Sequence, residues 1–298
     1  MSVDGAALSA AIAAAGISTG AGLTASVRAV PSADRQPHDS QPPGREDTAG
    51  LRCPVCDGAC EALGAVDFNK NCEEARGLVL PPAGRLVGYA RCRQCGHVFA
   101  PEFHAWTPED FRREIYNDGY LQVDPDHVEA RPCANADNLL ALFGERGRAV
   151  RHLDYGGGAG RLSELLRESG WQSVSVDPFF DAATAFEGAG RFGLITCFEV
   201  FEHVPDARQL LARLDALLAP DGLILVSTLL SDGEIAAGRP LEWWYLAPRN
   251  GHISLFSRRS LAVLAVRQGL QTASMSALFH FFWRRQFPSW ASHLLQPG

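Results

Sequence analysis

The sequence lacks the features that mark membrane-spanning and nucleic-acid-binding proteins. No apolar run approaches the roughly 20 residues that a helix needs to cross a bilayer. Positive charge is in deficit, since 27 lysines and arginines face 34 aspartates and glutamates, for a net charge of −7. Proteins that hold nucleic acid through its phosphates usually carry the opposite sign. We therefore expect a soluble protein without nucleic-acid or membrane partners; the sequence gives no indication of oligomeric state.

Residues 1–50 lack aromatic side chains and are rich in alanine, glycine, serine and proline. Such a segment cannot bury enough apolar surface to offset the entropy lost on ordering, so we expect a disordered tail. The stretch ALSAAIAAAGI is apolar like the core of a signal peptide, but Asp4 precedes it and no basic segment does. The sequence therefore favours a cytoplasmic protein.

Four of the eight cysteines fall into two C-x-x-C pairs. In a cytosolic chain such pairs more often bind metal than form disulfides. Four thiolates suit a tetrahedral Zn²⁺ and leave no open position, so the expected zinc is structural rather than catalytic. The predicted zinc ligands are Cys53, Cys56, Cys92 and Cys95.

Two short apolar pieces, residues 78–80 and 86–89, lie between the cysteine pairs. They predict the two strands of a hairpin in a small zinc-ribbon module that spans residues 51–100. A module of this size has too small a core to fold alone, and a metal would stabilise it. The alternative is that the two pairs are reduced, buried thiols that only pack.

A glycine run, DYGGGAG, begins at Asp154 and follows a short strand pattern. Glycine at such a strand-to-helix turn lets a ligand approach the backbone closely. The dinucleotide pattern G-x-G-x-x-G fails, because arginine or serine stands where its third glycine belongs, and no P-loop lysine follows. The spacing that fits is D-x-G-x-G-x-G, formed by Asp154, Gly156, Gly158 and Gly160.

This spacing resembles motif I of class I S-adenosylmethionine-dependent methyltransferases of the methyltransferase-23 type. Two further stretches agree: VSVDP supplies Asp177, which can accept the ribose hydroxyl hydrogens, and EVFEHVPD, from Glu199, resembles the segment after the family's fourth strand. Adenine contacts are expected from Pro178, Phe179 or Phe180. The resemblance implies a cofactor site made of Asp154, Tyr155, Gly156, Gly158, Gly160, Asp177, Pro178, Phe179 and Glu199.

Strand and helix patterns alternate after a predicted helical connector over residues 101–148, which indicates a parallel α/β sheet over residues 149–290. The resemblance implies a Rossmann-like sheet that ends in an antiparallel hairpin. Only the 21 residues 178–198 separate Asp177 from Glu199, so the β2–β4 region of the family is shortened here. Strands are expected at 149–153, 174–176, 194–198, 223–228, 270–276 and 279–284, and helices from near 159, at 207–218 and at 257–268.

Methyl transfer to oxygen usually requires removal of a proton from the acceptor, and His203 is the leading candidate base, with Glu202 and His252 beside it. Glu199, Glu202, His203 and His252 also resemble the E-x-x-E-H plus distal histidine set with which some small-RNA 2′-O-methyltransferases and ubiquinone-pathway O-methyltransferases bind a divalent metal. Mg²⁺ or Mn²⁺ would suit these ligands. In other relatives the same residues orient the cofactor loop, so three roles remain open.

The segment 242–252 is unusually aromatic for a loop and predicts either a wall of a small-molecule pocket or a lid over the core. The order of ribbon, tyrosine-rich connector and core resembles bacterial deoxysugar C-methyltransferases. Tyr116, Tyr120 and His104 would then either close over the cofactor and acceptor or only dock the ribbon, and docking is favoured for His104. The favoured function is methyl transfer from S-adenosylmethionine to a sugar or hydroxylated metabolite. RNA 2′-O-methylation and a non-catalytic adaptor are the alternatives.

Overall fold

The computed structural model describes residues 50–179, 190–236 and 238–295, so the predicted disordered tail up to residue 49 and Phe180 lie outside the described residues. The strands form a four-stranded and a six-stranded sheet. In chain order they are β1 (Cys60–Asp67), β2 (Leu86–Cys92), β3 (Val98–Phe99), β4 (Arg151–Tyr155), β5 (Gln172–Val176), β6 (Phe192–Phe198), β7 (Leu218–Ser227), β8 (Ser254–Leu255), β9 (Gln271–Ser274) and β10 (Phe279–Trp283).

The α-helices follow the apolar periodicity of the sequence. Ser257 caps the last helix and Thr107 the first, each through a reciprocal capping box that satisfies free backbone amides. The helices are α1 (Pro108–Glu114), α2 (Tyr120–Val123), α3 (Ala130–Arg148), α4 (Arg161–Glu168), α5 (Ala207–Leu217) and α6 (Arg258–Arg267).

The six-stranded sheet has the order β5-β4-β6-β7-β10-β9. Its first four strands are parallel, and β10 pairs antiparallel with both β7 and β9. The α/β fold with a final antiparallel hairpin is confirmed. The strand β5 forms an edge of the described sheet, as expected from the shortened segment after Asp177.

The strands of the large sheet alternate their side chains between two apolar clusters. Ile224 and Val226 of β7 face the cluster covered by α5 and α6, and Leu223 and Leu225 face the cluster covered by α3 and α4. The cysteine region packs into the first cluster, which also contains Val55. The predicted zinc-ribbon region therefore shares a core with one face of the large sheet.

The smaller sheet has the order β1-β2-β3-β8 and corrects one expectation. The predicted strand at residues 78–80 is not formed, and Cys60–Asp67 pairs with β2 instead. The side chain of Val79 is 60% exposed, and the prolines that follow at 81 and 82 have no amide hydrogen to donate to a strand. The second predicted strand, at residues 86–89, lies within β2.

No helix in the described parts of the chain is both long and apolar enough to cross a membrane.

Candidate active site

Glycines shape the turn between β4 and α4. Gly156, Gly158 and Gly160 have φ values of 78°, 53° and 83°, in the left-handed region that glycine enters without strain. An added Cβ at Gly156 would stand 2.5 Å from Val200 Cγ2, so a side chain has no room there. The amide of Gly158 donates to Asp177 Oδ2 at 2.9 Å. The turn and the acid after β5, both assigned to the cofactor site from the sequence, are thus in contact.

Two backbone amides hold the carboxylate of Asp177. Besides Gly158, the amide of Phe179 donates to it, at 2.9 Å to Oδ1. Asp177 is 8% exposed, whereas Pro178 and Phe179 next to it are exposed. Each carboxylate oxygen has two lone pairs, so a carboxylate oriented in this way can still accept hydroxyl hydrogens.

Asp154 lies beneath the glycine turn rather than on its outer side. Its Oδ1 accepts a hydrogen bond from Thr196 Oγ1 at 2.9 Å, and His152 Nε2 lies 2.9 Å from the same hydroxyl. Its Oδ2 is buried without a hydrogen-bond partner among the described residues. A Cβ at Gly157 would be 2.1 Å from this oxygen. The side chain of Asp154 therefore supports the turn from below, and burial raises the pKa of Asp154 to about 7.

Tyr155, another residue assigned to the cofactor site, points its side chain into the core. It is 3% exposed, belongs to the cluster under α5, and accepts a long 3.4 Å hydrogen bond from Arg213. Its backbone pairs with Val176 in β5. The side chain of Tyr155 therefore belongs to the core, and only its backbone lies at the end of β4, where the glycine turn begins.

Glu199 begins the turn after β6 with a φ of 54°, which is uncommon for a residue with a side chain. Ser227 at the end of β7 holds it there. The amide of Glu199 donates to Ser227 Oγ at 3.0 Å, and this hydroxyl donates to Glu199 Oε1 at 2.7 Å. Strained residues of this kind persist when their surroundings fix them, and they cluster at functional sites.

Three of the four residues in the predicted metal-ligand set come together. One potential ligand atom from each of Glu202, His203 and His252 lies within 4.8 Å of the others. His252 Nδ1 lies 2.7 Å from the carbonyl oxygen of Tyr245, and the Tyr245 hydroxyl donates to Glu202. This arrangement fits Nδ1–H donation by His252, which leaves its Nε2 free to bind. Glu199 does not belong to the group of converging atoms.

Burial controls the protonation of this cluster. It lowers the pKa of His203 to about 4 and lowers that of His252 well below the usual value, so both imidazoles are neutral at pH 7. Burial also raises the pKa of Glu202. His203 Nδ1 is buried and has no hydrogen-bond partner among the described residues. A neutral imidazole with a free nitrogen can accept a proton or bind a metal ion.

A cavity of about 160 Å³ lies next to this cluster, and both histidines and Glu199 line it. From the aromatic segment 242–252, Trp244 and Tyr245 contribute to its wall. Trp243 does not line the cavity; it is partly buried and packs against the core of the smaller sheet. The segment therefore combines the two roles that the sequence left open.

Sequence reasoning missed several polar residues of the cavity, among them Arg131, Asp124 and Cys72. Arg131 Nη1 and Nη2 grip the carboxylate of Asp124 at 3.1 and 2.6 Å, and Cys72 Sγ lies 3.8 Å from His252 Nδ1. All three come from segments far from the glycine turn in sequence. No local motif marks them, so the sequence carried no signal that could have found them.

The tyrosine-rich connector reaches the site through Tyr116. Its ring makes an edge contact with Phe179, with centroids 5.3 Å apart, and lies 6.2 Å from the ring of His203. Tyr120 in turn contacts Tyr116. His104 packs 5.5 Å from the ring of Phe99 in the small sheet, on the ribbon side. Tyr116 of the connector thus lies near both Phe179, which was predicted to contact adenine, and His203, which was predicted to be catalytic.

The four cysteines converge beside the smaller sheet, where β2 ends at Cys92. Their sulfurs lie 3.6 Å apart for Cys53 and Cys95 and 3.3 Å apart for Cys56 and Cys92. Zn–S bonds of about 2.3 Å in a tetrahedron require sulfurs about 3.8 Å apart, close to these values. A hydrogen bond with Cys95 lowers the pKa of the Cys53 thiol to about 5. The donor set and its spacing fit a tetrahedral zinc ion.

Backbone amides also surround these sulfurs. The amides of Val55 and Gly58 donate to the first cysteine pair, and those of Gln94 and Cys95 donate to Cys92, each at 3.4 Å. Such bonds stabilise thiolate charge, because a hydrogen bond to the charged form favours it.

Replacement of Asp154 by asparagine tests its buried carboxyl. The pKa of Asp154 rises from 3.8 to about 7 on folding, so the stability that this group contributes is present below pH 3.8 and lost as the pH rises through 7. Asparagine stays neutral and can still accept from Thr196. The stability of Asp154→Asn relative to the wild type should therefore increase from pH 4 to pH 8, by up to about 4 kcal/mol. Urea unfolding across this range measures the difference, and a constant difference would contradict the assignment.

A family model described as a methyltransferase domain matches residues 127–274. The chain is similar to a ubiquinone biosynthesis O-methyltransferase from Bradyrhizobium sp. (strain ORS 278), with 34% identity over 116 residues that cover 32% of this chain and 44% of that protein. A protein of the same name from Xanthomonas axonopodis pv. citri (strain 306) is 27% identical over 165 residues, which cover 46% of this chain and 69% of that protein. The first match thus spans less than half of the relative's length.

Among solved structures, the chain is similar to the Burkholderia thailandensis 1,6-didemethyltoxoflavin-N1-methyltransferase with bound 1,6-didemethyltoxoflavin and S-adenosylhomocysteine. The identity is 21%, the match covers 68% of this chain and 96% of that chain, and the TM-score is 0.40. An O-methyltransferase family protein from the same organism is 15% identical. The match covers 62% of this chain and 70% of that chain, and the TM-score is 0.38. Residues 127–274 of this chain are thus similar to a methyltransferase domain.

Proposed function

We propose that the chain is an S-adenosylmethionine-dependent methyltransferase that acts on a small hydroxylated acceptor. The observation that carries this proposal is the convergence of three elements at one sheet edge: the glycine turn after β4, Asp177 after β5 and the acidic-histidine turn after β6. In open α/β sheets, ligands bind beyond the carboxyl ends of the strands, where the strand order reverses. Such a reversal occurs at β4, because β5 pairs with one of its edges and β6 with the other.

The cofactor would lie across this edge. Asp177, oriented by two amides, would accept the ribose hydroxyls, and exposed Pro178 and Phe179 would cover the adenine. In the part of the chain that the structure describes, nothing but its chain neighbours lies within 4 Å of the position that a Cβ at Gly158 would occupy, so a ligand can approach the backbone closely there. When bound, S-adenosylmethionine supplies an electrophilic methyl group on its sulfonium. Glu199, at the cavity wall, would lie on the methionine side.

His203 would take the proton of the acceptor hydroxyl. It lines the cavity, its Nδ1 is free among the described residues, and burial keeps it neutral at pH 7. Glu202 and His252 lie beside it and would orient it or share the proton. General-base catalysis needs a positioned group of this kind within hydrogen-bond reach of the acceptor.

The same three residues would also suit Mg²⁺ or Mn²⁺, since a carboxylate and two neutral imidazoles converge. A divalent ion held there would lower the pKa of a bound hydroxyl. His252 would offer Nε2, because its Nδ1 faces a backbone carbonyl. The three residues therefore fit the ion.

A small acceptor is supported by the position of the chemistry. His252, which lines the cavity, is 5% exposed, so an acceptor must enter the cavity to reach it. Trp244 and Phe279 offer aromatic surface in the cavity wall. The similar curated proteins are named for O-methylation in ubiquinone biosynthesis, which agrees with a hydroxylated metabolite. An RNA acceptor would instead give binding that weakens steeply with salt.

Cofactor binding can be measured directly by calorimetry with S-adenosylmethionine. We expect one site per chain. Asp177→Ala should weaken binding by about 10- to 100-fold, because it removes charge-assisted hydrogen bonds to the ribose. Asp137→Asn, on the exposed side of α3, is the matched control and should bind normally. If the folded wild-type protein bound no S-adenosylmethionine, the proposal that it is a methyltransferase would be wrong.

Metal analysis of the purified protein should find about one zinc ion per chain, as four thiolates imply. Cys92→Ser should lose the zinc and unfold at a lower temperature. Cys133→Ser, which changes a thiol on α3 outside the converging cysteines, should retain it. Zinc-free protein of unchanged stability would show that the cysteines only pack.

Replacement of His203 separates its roles. As a lone base, its loss in His203→Ala should lower turnover of a hydroxylated acceptor by roughly 10² to 10⁴, with cofactor affinity little changed. As a metal ligand, its loss should also abolish Mn²⁺ binding measured by electron paramagnetic resonance, and Glu202→Gln and His252→Ala should do the same. His104→Ala is the control. Near-normal turnover at saturating cofactor and acceptor would remove His203 from the mechanism.

A further inference from the structure

The strand β8 joins the cysteine-bearing sheet to the candidate active site. It lies in the long connection after β7, yet it pairs antiparallel with β3, in the register Val98↔Leu255 and Phe99↔Ser254. The amide of Ala100 extends this ladder by donating to the carbonyl of Ile253 at 2.9 Å. Residues after His252 therefore belong to the same sheet as β2, which ends at Cys92.

The same segment is tied to the acidic-histidine turn on its other side. The amide of Ile253 donates to the carbonyl of Glu202 at 2.9 Å, and Ser254 Oγ donates to the carbonyl of Val204 at 2.7 Å. Ile253 and Ser254 are each 1% exposed. Segment 252–255 is thus clamped between β3 and the turn that carries His203.

Two side-chain bonds tie the cysteine region to the ends of this segment. The hydroxyl of Tyr89, in the middle of β2, donates to the carbonyl of His252 at 2.8 Å. Ser257 Oγ donates to the carbonyl of Cys95 at 2.6 Å. Tyr89 is 2% exposed, so water does not readily replace its bond.

The cysteines in turn hold β2 and β3 together. Cys92 ends β2, its amide donates to the carbonyl of His97 at 2.8 Å, and Cys95 lies in the turn that leads to β3. A two-residue strand such as β3 has few bonds of its own. A metal site that closes this turn would supply folding free energy where the local core is small.

We propose that the four-cysteine region is a positioning element of the candidate active site: with zinc bound, it holds β2 and β3 so that Tyr89 and β8 fix His252 beside His203. The importance of the His252 position for catalysis rests on the proposed function. Tyr89 is then a positioning residue that acts through His252. The zinc ion acts on the chemistry only through the backbone that it orders.

Histidine side-chain NMR of ring-labelled protein tests this coupling without any acceptor. The peaks of His252 and His203 are assigned with His252→Asn and His203→Asn. Removal of zinc by a chelator should displace both peaks. The peak of His293, whose Nε2 lies 2.8 Å from the carbonyl of Leu142 on the opposite face of the large sheet, should stay in place.

A second variant keeps the test valid if zinc removal unfolds the chain. Tyr89→Phe deletes one hydroxyl and retains the ring and the zinc, and it should displace the His252 peak. The matched control is Thr272→Val, which also deletes a hydroxyl that donates to a backbone carbonyl, at 2.8 Å in the β9–β10 hairpin. This control should leave the His252 peak unchanged.

An unmoved His252 peak in zinc-containing, folded Tyr89→Phe would overturn the proposal, as would an unmoved peak in folded protein from which zinc has been removed. Calorimetry with S-adenosylmethionine on the same samples separates this outcome from failure of the proposed function. Protein that binds no cofactor fails as a methyltransferase, while the histidine peaks still decide the coupling. Tyr89→Phe should bind the cofactor within about twofold of the wild type, because the deleted hydroxyl bonds to His252, which is not among the residues assigned to the cofactor.

Discussion

The parallel alignment of β4, β5, β6 and β7 is the constraint on which the candidate site depends. Parallel strands deliver their carboxyl ends to one edge of the sheet, so the glycine turn, Asp177, the acidic-histidine turn and Ser227 must meet there. Because β4 lies between β5 and β6, the next two strands of the chain lie on its opposite sides, which opens a crevice between them. The cavity, the clamped segment of β8 and the connector are additions around this edge.

Burial gives the groups at this edge their chemical character. Asp154 beneath the turn, Glu202 in the cluster and both histidines are removed from water, and each shifts toward its neutral form. Neutral imidazoles accept protons and bind metals, which charged ones cannot do. Free entry of water would bring the pKa values of these groups back toward their usual range. The packing of Tyr245 against Glu202 and His252 therefore helps to keep both groups neutral.

Local patterns predicted much of the fold, and long-range pairing limited the rest. The turn at 156–160 and the cap at Ser257 could be predicted, because glycine conformation and capping are properties of neighbouring residues. The antiparallel pairing of the final hairpin was predicted only from the resemblance to the methyltransferase family. The strand expected at 78–80 failed because β-propensity does not identify a pairing partner. The pairing of β3 with β8 and the contact of Cys72 with His252 at the cavity join distant segments with no shared pattern. The division of the chain into domains remains a prediction.

The central claim is that the sheet edge at the glycine turn binds S-adenosylmethionine with its reactive methyl directed at the histidine cluster. A crystal structure with S-adenosylhomocysteine measures this most directly. The account predicts that the ribose hydroxyls contact Asp177 and that the sulfur faces the cavity beside His203. A product molecule bound away from residues 156–160, or with its sulfur turned from the cavity, would contradict it.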